Sequence, residues 1–367
     1  MLFRSAVTGK SNFDVAEWML LKLLEAAAPG PAVLAMLVKA SVARRVLAHL
    51  WSTGVSVESS AIFRFNAGAH FNVSADACLF YCELGEQRST ECAIADLERP
   101  GRAIGCIGWR DRVLVSDPSA YDHNRSLLVC PDEPPPVRWR SGVKHDCSAV
   151  MEFERTAEHV FVNGHGEFVE LEPEFVYPLL KGTDLAHGRC AEVRKWLMVT
   201  QARPGEDTSM IARRAPKTWA YLRAHGDQLD RRRSSIYRNR PRFSVFGVGP
   251  YSFSPWKVAI SGLHKKLDFS VVGPIENRPV VFDDTCYHLS FDRQEAAQLA
   301  AEMLNADCSR ALLAALVFWD SKRPITVDTL QRIDLRKVAR HLGVADPFDV
   351  GSRGAALPVA HQPTFAF

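Results

Sequence analysis

An amphipathic helix followed by a buried strand is predicted near the start of the chain. Asp14 and Glu17 have the spacing of a helix capping box, and a broad apolar face then continues as far as a Pro-Gly-Pro turn. The continuous apolar run 32–38 is typical of a strand that is buried on both faces. Ser41 is placed to cap a second helix, which we expect to last until about Gly54.

Two strand-like runs follow, at 55–65 and 77–84, and the order helix, strand, helix and strand pair predicts the second half of an α/β sheet. From about residue 93 the pattern changes to short strands, with a hairpin at 104–116 and a Pro-rich linker at 131–136. We therefore predict an α/β domain at 1–92, a hairpin and linker at 93–136, an α+β domain at 137–348 and a flexible tail at 349–367. In the α+β domain the predicted strands are 149–153, 160–162, 243–248 and 280–282, and the predicted helices are 294–304 and 310–319.

Composition indicates a folded protein, because 47% of the 367 residues are hydrophobic and 24% are charged. The net charge of only +3 argues against a basic surface that covers the whole molecule. Nine scattered cysteines have no zinc-ligand spacing, so we expect reduced thiols and no metal site. Without a signal-peptide pattern or an apolar run of membrane-spanning length, the sequence predicts a cytoplasmic location and no membrane partner.

Basic residues are concentrated at 213–242, where ten Arg or Lys residues accompany only Asp227 and Asp230. A solvated basic face accounts for most such runs, but the aromatic residues just downstream favour a nucleic-acid surface, because arginine forks and flat side chains suit phosphates and bases. Duplex DNA is the expected partner, and RNA is a weaker alternative. The predicted contact residues of this region are Arg231, Arg232, Arg233, Arg238, Arg240, Arg242, Lys257, Lys265 and Lys266.

Several motifs in the C-terminal part resemble one family of enzymes. The stretch F-S-V-F-G-V-G-P-Y-S-F-S-P-W-K-V-A-I-S-G-L-H-K-K is followed by N-R-P-V-V-F-D-D-T-C-Y-H-L, L-N-A-D and K-R-P-I-T. Their order resembles the target-recognition domain of large N6-adenine DNA methyltransferases of the TaqI-like and type IIG restriction-modification kind. The R-S-G-V-K-H-D stretch is similar to the opening of that domain, and it adds Arg140 and Lys144 to the predicted DNA contacts.

The N-terminal segments T-G-K-S-N-F-D-V-A-E-W-M-L and A-V-L-A-M-L-V-K-A-S resemble the part of these enzymes that follows the catalytic loop. The motif F-N-V-S-A-D-A-C-L-F looks like the one whose aromatic residue stacks on the extruded adenine. By position this role is carried over to Phe71, with Phe80 as the alternative. A packed aromatic residue at a strand end is the competing interpretation.

The family's glycine-rich loop for S-adenosylmethionine and its Asn/Asp/Ser-Pro-Pro-aromatic catalytic loop do not occur in the sequence. The resemblance thus implies a partial Rossmann-like methyltransferase sheet followed by an α+β target-recognition domain, with no catalytic residue in this chain. S-Adenosylmethionine would serve the intact family, and we expect this chain alone neither to bind it nor to be active.

We expect the chain to be a gene fragment, an internal-start product or one half of a split enzyme, with an upstream polypeptide supplying the missing half. A non-enzymatic DNA-binding specificity subunit, acting with a separate methylase or nuclease, is the alternative function.

Overall fold

The computed structural model describes residues 14–28, 30–72, 76–99, 101, 103–130 and 137–349, which form two compact units. The described residues up to Arg125, together with Ala311–Ser321, make up the first unit. Ser126–Arg310 and the described residues from Lys322 onward make up the second. The predicted linker 131–136 and nearly all of the predicted tail lie outside the described residues.

The first unit is a six-stranded sheet with helices packed on one of its faces. In chain order its elements are α1 (Val15–Ala27), β1 (Ala32–Lys39), α2 (Ala40–Thr53), β2 (Val57–Arg64), α3 (Ala67–Phe71), β3 (Ala77–Leu84), β4 (Glu91–Asp96), β5 (Ala103–Arg110), β6 (Val113–Val115) and α4 (Pro118–Asn124).

Local signals account for the ends of the first helices. The Asp14 side chain accepts a hydrogen bond from the Ala16 backbone N–H at 3.2 Å, which confirms the predicted N-cap of α1. Helix α2 follows β1 without a loop, so it begins at Ala40, before the predicted cap at Ser41. It ends where Gly54 adopts the left-handed conformation, with φ of 83°, as a glycine C-cap does.

The sheet has the strand order β1-β3-β2-β4-β5-β6. Strand β3 is antiparallel to both β1 and β2, and its Phe80 lies opposite Met36 of β1 and Ile62 of β2. Strand β4 pairs in parallel with β2, and β5 and β6 form the predicted hairpin at the end of the same sheet. The segment expected to be a separate hairpin after residue 92 is therefore part of the first unit.

The second unit contains two further sheets, with the orders β10-β9-β8-β12-β11-β15 and β14-β13-β16-β7. Helix α11 crosses from this unit into the Ala311–Ser321 segment of the first. The elements are β7 (Arg140–Ser141), α5 (Ser148–Met151), β8 (Glu152–Ala157), β9 (Val160–Asn163), β10 (Phe168–Glu170), β11 (Val176–Leu180), α6 (Gly182–Ala186), β12 (Lys195–Met198), α7 (Ile211–Arg214), α8 (Pro216–Ala224), α9 (Gly226–Asp230), β13 (Trp256–Ser261), β14 (Ser270–Val272), β15 (Val281–Phe282), β16 (Cys286–Phe291), α10 (Gln294–Asn305), α11 (Asp307–Leu316), α12 (Val327–Leu330) and α13 (Leu335–Leu342).

Two strand predictions in this unit are wrong. Residues 243–248 form no strand, because Phe243 and Gly247 have φ of 68° and 66° and break the extended backbone. At 149–153 the chain first makes the single helical turn α5 and becomes extended only from Glu152. The predicted helix 310–319 begins earlier, at Asp307, and ends at Leu316.

Candidate nucleic-acid interface

The arginine-rich segment 231–242, called the basic loop below, is held against the second unit by the side chain of Arg232. Its guanidinium donates hydrogen bonds to the backbone carbonyls of His145 at 3.1 Å and Ser244 at 2.8 Å. It also stacks over the Tyr237 ring, 3.7 Å from the ring centroid. Burial lowers the pKa of Arg232 from its ordinary value. The expectation that Arg232 contacts phosphate is therefore replaced by a structural role.

Aromatic residues fix the rest of the basic loop. The Tyr237 hydroxyl donates to the Lys144 carbonyl at 3.3 Å, and its ring meets Phe246 edge-on, with the centroids 5.3 Å apart. Arg242 is paired with Asp230 at 2.8 Å, so part of its charge is already compensated. These contacts give a loop without regular strands a defined conformation.

Besides Arg242, which is paired with Asp230, four arginines of the basic loop are exposed: Arg231, Arg233, Arg238 and Arg240. Among the residues that the structure describes, none of the four has an acidic partner within ion-pair distance. Arg231 and Arg233 line an open cleft of about 620 Å³ beside residues 146–149. Their guanidinium groups are therefore free to bind an anionic ligand such as a phosphate backbone.

The other predicted contacts differ in accessibility. Lys265 and Lys266 are exposed, and Lys144 is half-buried, with its ammonium 3.7 Å from the Asp146 carboxylate. Arg140 is also half-buried and lies over the Tyr251 ring, 4.7 Å from its centroid. All four belong to the second unit, as the basic loop does.

Lys257 does not belong to any exposed surface. It lies on β13 between β14 and β16, and only 1% of the residue is exposed. Its Nζ donates to the Ser254 carbonyl at 2.6 Å, and burial lowers its pKa to about 7. The prediction of a DNA contact at Lys257 is therefore wrong, because a buried side chain cannot reach a phosphate.

Phe71, the first candidate for base stacking, lies at the end of the short helix α3, just after β2. The Asn66 side chain caps this helix by accepting from the Ala69 N–H at 3.1 Å. Phe71 is 56% exposed, and the Phe65 ring supports it edge-on, with 5.9 Å between the centroids. The adjacent His70 interacts with the Glu98 carboxylate at 3.2 Å. An exposed ring on a capped and supported turn is suited to stacking on a flat ligand.

Phe80, the alternative candidate, is fully buried in β3, within the core of the first unit. Neither face of its ring is accessible, so the packed-aromatic interpretation describes Phe80 correctly. Phe71 remains the only one of the two that presents a ring face to solvent.

The sequence did not indicate that Arg232 and Tyr237 hold the basic loop in place. Apart from the nearby Leu229 carbonyl, their acceptors are backbone carbonyls far away in the sequence, and no side-chain motif marks a backbone carbonyl. The Asn66 cap could have been found, since Asn before a short helix is a local signal.

The described part of the first unit does not fit a nucleotide-like methyl donor. Such donors are bound where a glycine-rich turn joins a strand to a helix. The junctions β1–α2 and β2–α3 contain no glycine. Among the described residues there is also no cluster of His, Cys, Asp or Glu that could hold a metal ion. No helix in the same residues is long and apolar enough to cross a membrane.

No protein-family model matches the chain. It is 42% identical over 336 residues to the type II methyltransferase M.NspV of Nostoc sp. (strain ATCC 29411 / PCC 7524), and the match covers 91% of this chain and 69% of that protein.

Two solved structures are also similar to the chain. One is the type IIL restriction-modification enzyme MmeI in complex with DNA, with a TM-score of 0.45, 13% identity, and coverage of 91% of this chain and 50% of that one. The other is the type IIG restriction endonuclease BpuSI, with a TM-score of 0.31, 12% identity, and coverage of 82% and 39%. The chain thus spans half or less of either structure, and similarities at these scores do not decide the fold.

Proposed function

Since the chain belongs to the type II methyltransferase family, we propose that it binds duplex DNA and positions a target adenine for methylation at N6. S-Adenosylmethionine is the methyl donor that membership of this family implies. Because the described strand-to-helix junctions of the first unit do not fit the donor, we propose that another polypeptide binds it. The chain described here supplies the DNA contacts.

The observation that carries this proposal is the set of four exposed, unpaired arginines on a loop that Arg232 and Tyr237 hold in place. Phosphate contacts supply most of the affinity of a protein for duplex DNA. A loop that is already ordered loses less conformational entropy on binding than a flexible basic tail would lose. Such a loop can therefore fix the register of the protein on the duplex.

Phe71 supports the second part of the proposal. Methylation of an adenine amino group requires the base to leave the stack, and aromatic side chains stabilise the extruded base. Phe71 combines an exposed ring with a rigid base formed by the capped helix α3 and Phe65. We therefore assign Phe71 to stacking on the extruded adenine.

The test is the salt dependence of DNA binding. We expect Arg233→Ala, Arg238→Ala and Arg240→Ala together to weaken binding of a 30-base-pair duplex and to reduce the slope of log K against log salt by about 2.7, since each phosphate contact contributes about 0.9. Fluorescence anisotropy at several salt concentrations measures this slope.

The matched control removes the same charge elsewhere in the second unit, at exposed arginines on or beside three different helices: Arg223, Arg293 and Arg340. This control should leave the slope within about half a unit, because the three arginines lie outside the basic loop and only cations that contact phosphates contribute to the slope. Equal slopes for the two triple variants would show that the basic loop is not the DNA-binding surface. Tighter binding of an RNA duplex than of DNA would assign the loop to RNA.

A further inference from the structure

The cleft beside the basic loop is lined by one amide side chain as well as by arginines. This amide belongs to Gln228, which is exposed and stands beside Arg231 and Arg233 among the lining residues that the structure describes. Gln228 lies on helix α9, and Arg231 follows three residues later, so the two side chains lie on the same side of the helix end. An uncharged amide contributes little to phosphate affinity, which depends on cationic side chains. Its place in the cleft therefore indicates a different ligand group.

The orientation of the Gln228 amide is set by His165. The amide oxygen Oε1 lies 2.9 Å from His165 Nε2. Because an amide oxygen can only accept a hydrogen bond, the imidazole N–H is the donor. The amide NH2 group of Gln228 has no hydrogen-bond partner among the described residues. This side chain thus offers two N–H donors to a ligand in the cleft.

A closed turn between β9 and β10 holds His165 at the wall of the cleft. The His165 backbone N–H donates to the Asn163 side-chain oxygen at 2.9 Å. The same oxygen accepts from the Glu167 N–H at 3.0 Å, so one buried amide closes the turn. Gly164 packs so tightly against Ala149 of the cleft wall that a Cβ atom on Gly164 would lie 2.6 Å from the Ala149 Cα. These contacts fix the His165 backbone relative to the cleft.

The ring of His165 is supported as well. It stacks on the ring of His225, with 6.1 Å between the centroids and 10° between the planes. His225 is itself held at both nitrogens, because Nδ1 lies 3.0 Å from the Tyr221 carbonyl oxygen and Nε2 lies 2.8 Å from the Glu167 carboxylate. The direction of the Gln228 amide is therefore set before a ligand binds, and such preorganisation reduces the conformational entropy lost on binding.

We propose that Gln228 recognises a guanine in the major groove of the bound DNA, with His165 as a positioning residue. Guanine presents two acceptors, O6 and N7, in the major groove, and an amide that offers its N–H donors matches them. Adenine presents a donor beside its acceptor, and that donor would compete for the Oε1 atom that His165 already engages. Arg231 and Arg233 bind the flanking phosphates. This inference rests on the proposed function and adds to it a residue that determines specificity.

The test is binding-site selection from a library of random-sequence duplexes, carried out with the full chain and with single variants. Gln228→Ala removes the amide, and Gln228→Glu replaces its donors by a carboxylate that can only accept. The matched control is Gln294→Ala, which removes an exposed glutamine amide at the start of helix α10 in the same unit. Circular dichroism and urea unfolding verify that the variants are folded.

We expect the wild type and Gln294→Ala to select the same sequence, with guanine at one invariant position. Replacing this guanine by adenine should weaken binding by the wild type about 10-fold, whereas Gln228→Ala should bind the two duplexes within about twofold of each other. Gln228→Glu should select cytosine at the same position, because a carboxylate accepts from the cytosine amino group. The salt slope of Gln228→Ala should equal that of the wild type, since no phosphate contact is lost.

The role of His165 is tested by the same selection. His165→Leu should lose the preference for guanine, and His165→Gln should retain it, because glutamine keeps an N–H donor within reach of Gln228 Oε1. If the contact only tied α9 to the turn, both His165 variants would change the free energy of unfolding without changing the selected base. That result would overturn the positioning role.

Selection of the same guanine by Gln228→Ala, or a wild type that selects no guanine, would overturn the inference. Either result is compatible with an unchanged salt slope for the basic loop, so the proposed function would stand. Failure of the wild type to bind any duplex would instead overturn the proposed function, and the inference with it.

Discussion

Replacing the buried Lys257 by methionine should stabilise the second unit at neutral pH. The side chain projects from a strand whose two faces are both buried, and only 1% of the residue is exposed to water. Burial lowers its pKa from the ordinary value of 10.5 to about 7. Methionine has a similar length and no charge, so it should fill the same space without the desolvation cost.

The magnitude follows from the linkage between protonation and folding. Between pH 7 and 10.5 the unfolded chain binds more protons at this site than the folded chain does, so this lysine destabilises the fold increasingly as the pH falls. The difference between the two pKa values corresponds to about 5 kcal/mol, or about 4 kcal/mol at pH 7, where the folded amine is half protonated. Methionine also loses the hydrogen bond to Ser254, worth about 1 kcal/mol. The expected gain is therefore about 3 kcal/mol at pH 7 and close to zero at pH 9.5.

Urea unfolding of the wild type and of Lys257→Met at these two pH values measures the effect. Lys266→Met is the control, since this lysine is exposed and its replacement should change the free energy of unfolding by less than about 0.5 kcal/mol. The DNA-binding salt slope of Lys257→Met should equal that of the wild type. A loss of stability at pH 7, or a gain of equal size at both pH values, would refute the reasoning.

Three further predictions concern other residues. Arg232→Lys should lower the free energy of unfolding of the second unit by about 2 kcal/mol in urea, because an ammonium group cannot replace the guanidinium bonds to the three carbonyls. The same change at the exposed Arg233 should cost less than about 0.5 kcal/mol. In the presence of the donor-binding polypeptide, Phe71→Ala should lower methyl transfer and the fluorescence of 2-aminopurine at the target position, while duplex affinity stays within about threefold. A loss of duplex affinity as large as the loss of methyl transfer would contradict a stacking role. Burial opposes ionisation of Asp320, but the hydrogen bonds from Arg44 and Asp76 and the charges of Arg44 and Arg64 together outweigh it and lower the pKa. At pH values above 3.8, the ordinary carboxyl pKa, the ion pair of Arg44 and Asp320 therefore stabilises the first unit. This stabilisation is lost as the pH falls through the lowered pKa of Asp320. Asp320→Asn should cost about 3 kcal/mol at pH 7 and much less at pH 3, as followed by thermal unfolding.

The elements that could be predicted from sequence are those whose ends are set locally. The Asp14 cap, the Gly54 terminus and the hairpin turn at Asp111 each depend on residues within a few positions. Segment 243–248 could not be predicted, since its apolar residues suit a strand. Its backbone is instead held by distant groups, such as the Gln201 side chain, which accepts from the Val245 N–H at 3.1 Å.

The DNA contacts were predicted mainly from the number of basic residues in a segment. That number does not determine which of the side chains point to solvent. Lys257 has apolar neighbours on both sides in sequence, which is equally compatible with a strand that exposes one face and with a strand that exposes neither. Only the burial of β13 on both faces, where all residues from Lys257 to Ser261 are buried, decides between them. Arg232 was indistinguishable from Arg231 and Arg233, because two of its three carbonyl acceptors lie 12 and 87 residues away.

These reassignments limit how strongly salt can affect DNA binding. Of the eleven predicted contact residues, Lys257 is buried, Arg232 is bound to backbone carbonyls and Arg242 is paired with Asp230. Arg140 and Lys144 are half-buried, and each already contacts a neighbouring side chain. Six exposed cations then remain, namely Arg231, Arg233, Arg238, Arg240, Lys265 and Lys266. If all six contact phosphates, the slope of log K against log salt has a magnitude of about 5, whereas the full set of eleven would give about 10. A measured slope near 10 would therefore require phosphate contacts that neither the basic loop nor the two lysines provide, and it would direct the search to the first unit or to the partner polypeptide.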